Sequence, residues 1–412
     1  MVPPLGFFCS GFLIAEKMQP MSKKSRSRTW FLVHSWLALP IWFFVLIVCV
    51  TGTLAVVSQE IVWLALPEIR ATQPSDDAPL LTFGEAVEAI NKARPELVVR
   101  EINRPDESHF ALNAIVSNPD GSSATLFVNP YTGVIQGKNP DFDFQQFTRA
   151  LHGWWLVPFT SGFSWGWYLV SLLSLPLLAS LVTGLVVFKK FWRAFFKPTL
   201  RLNQGARVFW GDFHRLSGIW SIWFIAVIAI TGLWFLIQAI LFDNHIDIST
   251  EGVPNMVPRH EVPRTADGLT PKLIGVDDAI NTAQNRIPGL EISAVTFPGT
   301  AYNHISLSGR GWYPLMFQSA SINPYNGQIA EQRLLSDYSK LEFVTQSMRP
   351  LHTGDFGGLW IKMIWMVFGL LLSMMVLSGL LIWTKRTALA TAAALRRPAR
   401  LARNGSVSEV NP

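Results

Sequence analysis

Four apolar runs, each bounded by polar sequence, dominate the hydrophobic pattern of the chain. They cover residues 30–57, 165–188, 208–242 and 359–383. Roughly 20 helical residues, each adding about 1.5 Å of rise, cross the hydrocarbon core of a bilayer, so every run is long enough. The pattern therefore predicts an α-helical membrane protein with four transmembrane helices.

The two long polar segments between these runs each predict a small external α/β unit. Amphipathic helix patterns that end in proline, at 84–95 and 276–288, are followed by alternating segments typical of strands. Each segment then carries the same kind of turn, in which Pro presets φ and Gly takes the left-handed position. The two turns are Asn129-Pro130-Tyr131-Thr132-Gly133 and Asn323-Pro324-Tyr325-Asn326-Gly327.

Short motifs beside the apolar runs recur at matching places, which predicts an internal duplication. Each half would consist of a span, an external unit and a span, related to the other half by an axis along the membrane normal. The matching motifs are Arg149-Ala150-Leu151-His152 with Arg349-Pro350-Leu351-His352, and His34 with His214, each 17 residues before a Thr-Gly pair at Thr51-Gly52 and Thr231-Gly232.

The predicted boundaries divide the chain into nine segments. Residues 1–20 make a poor signal peptide, and we expect translation to begin after them, at Met21. The segments are an N-terminal tail at 1–29, span 1 at 30–60, the first external unit at 61–148, span 2 at 149–190, a short loop at 191–207, span 3 at 208–242, the second external unit at 243–348, span 4 at 349–385 and a basic tail at 386–412.

Charge and composition set the sidedness and exclude some classes of protein. Half of the residues are hydrophobic, the formal net charge is +6, and basic residues cluster beside the apolar runs, before span 1, between spans 2 and 3 and after span 4. By the positive-inside rule both termini and the short loop are cytoplasmic, and the external units face the periplasm of a bacterial inner membrane. Such clusters fit lipid headgroups better than nucleic acid. Two cysteines provide no disulfide framework.

Four of the eight histidines fall at repeat-equivalent places near the ends of the apolar runs. A single histidine there is more often a hydrogen-bonded interfacial residue, but two matched pairs favour function, because ionisable groups near a membrane are costly. Imidazole is a common axial ligand of haem iron. The topology groups them as a cytoplasmic pair, His34 with His214, and an external pair, His152 with His352. Each pair is predicted to hold one haem b between the two halves.

Arginines beside these histidines are candidates for binding haem propionates. Arg149 and Arg349 lie three residues before the external histidines, and Arg215 follows His214. Bidentate contacts from guanidinium to carboxylate fit this role. Binding to lipid phosphate is an alternative of equal weight.

Thr or Ser followed by Gly recurs in all four apolar runs, where a porphyrin or a neighbouring helix could approach closely. Ordinary helix packing explains such residues at least as well. The glycines are Gly52, Gly184, Gly232 and Gly379.

The distance between the two proposed haems conflicts with straight helices. The rise from His34 to the far end of its helix is about 35 Å, which is too long for direct electron tunnelling. We therefore expect the stretches after the external histidines, 153–162 and 353–358, to break the helix and to bring His152 and His352 inward.

At these residues the chain resembles the PepSY-associated transmembrane family over about residues 25–390. The resemblance implies an inner-membrane reductase that uses two haems b to reduce ferric siderophores in the periplasm, with His34, His152, His214 and His352 as axial ligands. Ser35-Trp36 follows the first histidine where relatives carry arginine, so the cytoplasmic propionate clamp is expected to be one-sided. No flavin domain follows the last span, so we expect a separate electron donor.

Three functions remain in competition at this point. The leading hypothesis is an oxidoreductase that passes electrons from a separate cytoplasmic or quinol donor to a ferric siderophore docked between the external units. A membrane-anchored PepSY protein that binds peptides or inhibits a protease is the alternative, and it leaves the matched histidines unexplained. A quinol-linked electron carrier is a variant of the first. A transporter is less favoured, because four spans are few.

Overall fold

The computed structural model describes residues 23–246, 248, 256–265 and 271–405. Side chains are described for 29–37, 40–246, 248, 256–265 and 271–384. The predicted untranslated segment at 1–20 lies outside the described residues. The basic side chains before span 1 and after span 4 lie outside the described side chains.

Thirteen helices occur in the described part of the chain, and short 3-10 helices lie at Leu39–Ile41, Pro67–Ile69 and Leu335–Asp337. In chain order the helices are α1 Lys23–Ala38, α2 Trp42–Val56, α3 Ser58–Ala65, α4 Phe83–Ala93, α5 Phe144–Trp154, α6 Trp165–Leu172, α7 Ser174–Val187, α8 Phe191–Phe196, α9 Ala206–Trp220, α10 Ile222–Asp243, α11 Val276–Arg286, α12 Lys340–Thr353 and α13 Gly358–Gly405.

Three segments are helical, long and apolar enough to cross a membrane, namely Trp165–Val187, Ile222–Asp243 and Gly358–Thr384. The helices α1 and α2 form a fourth candidate, bent by 62°. Pro40 lies at this bend, and it cannot continue an α-helix because it lacks an N–H and its ring clashes with the preceding turn. The first apolar run is therefore two helices, where the sequence predicts one.

The helix breaks that the sequence predicts after His152 and after His352 are present. α5 ends two residues after His152, where Trp155 and Leu156 take left-handed conformations with φ of 49° and 62°. α12 ends one residue after His352, and Gly354 caps it with φ of 75°. Gly166 is needed beside the first break, since a Cβ there would lie 1.9 Å from the carbonyl oxygen of Trp154. Both histidines thus lie on helices separate from the apolar spans.

The polar segments form one antiparallel sheet of eight strands, in the order β4-β3-β2-β1-β5-β6-β7-β8. Alternate residues are buried along β2 and β6, as expected for strands with one face on a core. The strands are β1 Val98–Asn103, β2 Leu112–Ser117, β3 Ser123–Val128, β4 Ile135–Lys138, β5 Glu291–Thr296, β6 Ile305–Arg310, β7 Phe317–Ile322 and β8 Ile329–Arg333.

The two external units that the sequence predicts are joined to each other. β1 pairs with β5, with Ile102 opposite Val295, and both residues are fully buried in a core that the two halves share. On the helix layer Asp277 of α11 accepts hydrogen bonds from the Thr82 hydroxyl at 2.8 Å and from the Gly84 N–H at 3.1 Å. The seam between the units is therefore closed by strand pairing and by a helix cap.

The two Asn-Pro-Tyr turns form as predicted. Asn129 accepts a hydrogen bond from the N–H of Tyr131 through its side chain, and Asn323 does the same for Tyr325, both at 2.9 Å. The glycine that closes each turn has a positive φ, 71° at Gly133.

A buried ion triad ties the sheet to the membrane helices. Lys362, near the start of α13, lies 3.0 Å from Glu60 of α3 and 2.9 Å from Glu107 in the loop after β1. The exposed fractions of these three side chains are 7%, 16% and 12%. A second set of ion pairs lies beside it, in which Arg310 of β6 contacts Asp106 and Asp355.

Replacing Lys362 with Met should destabilise the protein strongly. The variant keeps most of the side-chain volume but leaves Glu60 and Glu107 without their cation, and breaking a buried pair in this way costs about 3–5 kcal/mol. We expect a lower thermal unfolding midpoint in detergent. The control is Arg94→Met, which removes an exposed ion pair with Glu96 and should leave the midpoint unchanged. Equal midpoints for the two variants would contradict a structural role for the triad.

Candidate cofactor site between facing histidines

Two pairs of histidine rings face each other inside the helix bundle, and each pair joins the two halves of the chain. His34 of α1 and His214 of α9 form the far-side pair, with ring centroids 6.3 Å apart and planes at 75°. His152 of α5 and His352 of α12 form the sheet-side pair, at 6.0 Å and 36°. These are the two combinations that the repeat predicts from the sequence.

Backbone carbonyls fix the protonation of two of the rings. Nδ1 of His152 lies 2.9 Å from the carbonyl oxygen of Val48, and Nδ1 of His214 lies 3.0 Å from that of Met375. A carbonyl oxygen only accepts, so Nδ1 must carry the hydrogen and donate. Nε2 of each ring is then left with a lone pair, which is the form that binds a metal.

Threonine hydroxyls hold the other two rings in the same tautomer, with the hydrogen on Nδ1. Nδ1 of His34 lies 3.0 Å from the Thr183 hydroxyl, and Nδ1 of His352 lies 2.7 Å from the Thr231 hydroxyl. Both hydroxyls already donate to a carbonyl one turn earlier in their own helices, at 2.7 Å. They therefore accept from the imidazoles, and all four histidines present Nε2 as a lone-pair donor.

Each histidine is supported inside its own half and faces its counterpart in the other half. His34 and His152 are held by helices of the first half, and His214 and His352 by helices of the second. Most of the residues that contact these rings belong to the Thr-Gly and Ser-Gly pairs. A Cβ on Gly52 would lie 2.6 Å from His152, and a Cβ on Gly184 or Gly379 would lie 3.4 Å from His34 or His214.

Three of these four glycines therefore admit the imidazole ring of a neighbouring helix. Gly232 is the exception, because its nearest neighbour is the Cβ of Ser174 at 3.2 Å. Its partner Thr231 nevertheless accepts the hydrogen bond from His352. The hydroxyl and the missing Cβ thus have separate roles, one polar and one steric.

The spacing of each pair fits a metal ion between two imidazoles. Metal–nitrogen bonds of about 2 Å on both sides, with roughly 1 Å from each nitrogen to its ring centre, place the centroids about 6 Å apart. Two nitrogen donors do not complete the coordination of iron. Among the described residues no group of three or more His, Cys, Asp or Glu side chains could hold a metal ion. A haem macrocycle provides four nitrogen donors and leaves two positions open, which each histidine pair could fill.

Two of the predicted arginines lie together on the sheet side. Arg149 of α5 and Arg349 of α12 line the same pocket, of ≈ 910 Å³, next to the sheet-side pair. In the described part of the chain neither guanidinium forms an ion pair. Both are therefore free to meet an anion that enters the pocket.

Arg215 is predicted to contact a haem propionate. In the structure its guanidinium already contacts a carboxylate of the protein. It pairs with Asp212, which is 1% exposed and which also receives two hydrogen bonds from Arg201, at 2.8 Å and 2.9 Å. Two guanidinium groups around one carboxylate leave one positive charge beside His214. Sequence reasoning missed Arg201 and Asp212, although the i,i+3 spacing of Asp212 and Arg215 on a helix was available as a signal.

The two histidine pairs are separated by less than the full length of a straight first span. His152 contacts this span at Gly52, 18 residues after His34. On a straight helix that separation is about 27 Å, and the 62° bend between α1 and α2 shortens it further. Phe235 of α10 packs beside the sheet-side pair, with its ring 5.1 Å from that of His352.

A graded series of glycine variants tests this packing. Gly52→Ala should displace His152, and overpacking of this kind costs about 1–3 kcal/mol. Gly184→Ala and Gly379→Ala meet their histidines at 3.4 Å and should cost less. Gly211→Ala in α9 meets nothing within 4 Å and should be neutral or stabilising. Thermal unfolding in detergent measures the order, and a Gly52→Ala protein as stable as Gly211→Ala would contradict the packing of His152.

Comparison with known proteins agrees with this architecture. No match was found among curated proteins. The family described as the PepSY-associated TM region matches residues 31–386, which include the membrane helices, the sheet and all four histidines. Because the match covers most of its length, the chain belongs to the family of the PepSY-associated TM region.

Proposed function

We propose that this chain is a di-haem b reductase of the bacterial inner membrane, which passes electrons from the cytoplasmic side to the periplasm and reduces ferric siderophores to release Fe(II). The observation that carries the proposal is the state of the four histidines. Two pairs of imidazoles, spaced for metal ligation, all have Nδ1 donating to the protein and Nε2 available.

The chain's own residues would bind and orient the cofactor. His34 with His214, and His152 with His352, supply the axial nitrogens. A haem bound at each pair supplies a one-electron couple between Fe(II) and Fe(III). The hydrogen bonds from Nδ1 hold each ring in one orientation and make its Nε2 a stronger donor. Arg149 and Arg349 offer the cations that haem propionates need on the sheet side.

The sidedness follows from the basic residues at the far side of the bundle. The loop around α8, between α7 and α9, exposes Lys189, Lys190, Arg193 and Lys197. The positive-inside rule places this loop in the cytoplasm and the sheet in the periplasm. A duplication would relate the two halves by an axis along the membrane normal, so that each haem would lie between equivalent helices. Electrons would enter from a separate cytoplasmic or quinol donor near the far-side pair.

The competing functions explain less of the geometry. A PepSY protein that binds peptides or inhibits a protease uses the sheet alone, and it gives no reason for four imidazoles with the same tautomer. A quinol-linked carrier would use the same pairs and differs in its partner. Reduction of the substrate weakens a hard-oxygen chelate, because Fe(II) suits such ligands less well than Fe(III).

The absorption spectrum of the purified protein tests the proposal. We expect two haems b per chain with a sharp low-spin spectrum after dithionite reduction. His214→Ala should remove the far-side haem and His352→Ala the sheet-side haem, each leaving the other in place. The control His260→Ala changes an exposed histidine outside the bundle and should keep both. A folded protein without colour, after expression with haem supplied, would refute the proposal.

The threonine acceptors allow a test of how the histidines are tuned. Thr231→Val keeps the shape of the side chain but removes the acceptor for Nδ1 of His352, so the ring donates less electron density and the reduction potential of the sheet-side haem should rise. Thr183→Val should do the same for the far-side haem alone. Potentiometric titration of the two haems measures both. Identical shifts of both haems in either variant would contradict the assignment of each threonine to one pair.

A further inference from the structure

The pocket of ≈ 910 Å³ lies between the second external unit and the membrane helices. Its walls come from α6, α10, α12 and the β6–β7 hairpin, with Phe317 and Arg310 at its outer side. The seam between the two units is closed by the pairing of β1 with β5. A bulky substrate that approaches from the sheet side therefore meets this pocket and not the space between the units.

The pocket comes close to the sheet-side histidine pair, because neighbours of His352 line it. Phe235 lines the pocket and lies 5.1 Å from the ring of His352. Pro350 and Thr353, which flank His352 in α12, also line it. One aromatic ring, that of Phe235, thus separates a molecule bound in the pocket from the ring of His352.

The charges on the pocket wall decide which molecules it accepts. Among the described lining residues are three arginines and two aspartates, which give a net charge of +1. Arg310 is paired with Asp106 and Asp355, whereas Arg149 and Arg349 form no ion pair among the described residues. If these two meet the carboxylates of a bound haem, two negative charges are added and the wall becomes net negative. A strongly anionic chelate would then be repelled.

We propose that this pocket binds the substrate and that it selects metal chelates of zero or positive net charge. The inference rests on the proposed function, because the sign of the charge depends on the haem carboxylates. Neutral polar groups, Gln238, Gln346 and Thr345, offer hydrogen bonds to the chelate, and Phe159 and Phe317 offer apolar walls. One electron passes to the bound chelate, whose Fe(III) becomes Fe(II) while its ligand is unchanged.

Gallium(III) chelates test the binding step without electron transfer, because Ga(III) is not reduced. The probes are complexes of one linear trihydroxamate whose terminal amine is free, acetylated or succinylated, so that they carry one positive charge, none, or one negative charge. Binding to the full-length, haem-loaded protein in detergent is measured by calorimetry. We expect the cationic and neutral forms to bind, and the anionic form to bind about 3- to 5-fold more weakly at low salt.

Charge variants of Gln346 locate the site. Gln346 is exposed on α12 and lines the pocket. Gln346→Glu should widen the difference between the cationic and anionic probes, and Gln346→Lys should narrow or reverse it. The controls Lys92→Gln and Glu88→Gln make the same changes in net charge at exposed positions of α4, and they should leave the difference unchanged.

The outcomes separate this inference from the proposed function. Two haems per chain together with preference for the anionic probe, or with no response to either Gln346 variant, would overturn the inference and leave the proposed function intact. A folded protein that binds no haem would overturn the proposed function. In a His152→Ala His352→Ala protein the pocket wall keeps its charge of +1, so a preference reversed toward the anionic probe would support the charge count.

Discussion

Four hydrogen bonds from histidine Nδ1 determine how the membrane part of this protein is arranged. Lipid offers no partners for polar groups, so each imidazole in the bundle must find its acceptor on a neighbouring helix. Carbonyl oxygens of Val48 and Met375 serve two rings, and the hydroxyls of Thr183 and Thr231 serve the others. The same bonds set the tautomer, the ring orientation and the distance between helices of each half. The two pairs then face each other across the halves.

The sheet makes the two halves one body. Pairing of β1 with β5 and the cap that Asp277 provides to α4 close the seam, while Lys362 joins the sheet to the bundle through Glu60 and Glu107. The facing rings can keep their spacing because the halves that carry them are fixed to each other at the sheet. The pocket of ≈ 910 Å³ lies beside α10 and α12, near His352.

Belonging to the family of the PepSY-associated TM region is consistent with this division between helices and sheet. The proposal of a cofactor rests on the two histidine pairs and on the tautomer of their rings. The arginines beside the histidines differ in whether a carboxylate of the protein pairs with them. Arg149 and Arg349 have no carboxylate partner among the described residues, whereas Asp212 holds Arg215 and Arg201 together. On the far side the charge of Arg215 is therefore shared with Asp212 and Arg201.

The sequence by itself determined the apolar spans, the turns, the helix breaks after His152 and His352 and the grouping of the histidines, because these depend on local pattern and on repeats within the chain. Only the tertiary structure decided the bend at Pro40, the acceptor of each Nδ1, the closed seam and the partner of Arg215. The acceptors lie 104 to 161 residues from their histidines, and no local pattern specifies which distant helix surfaces meet. Such contacts are chosen by packing and by the need to satisfy each buried polar group.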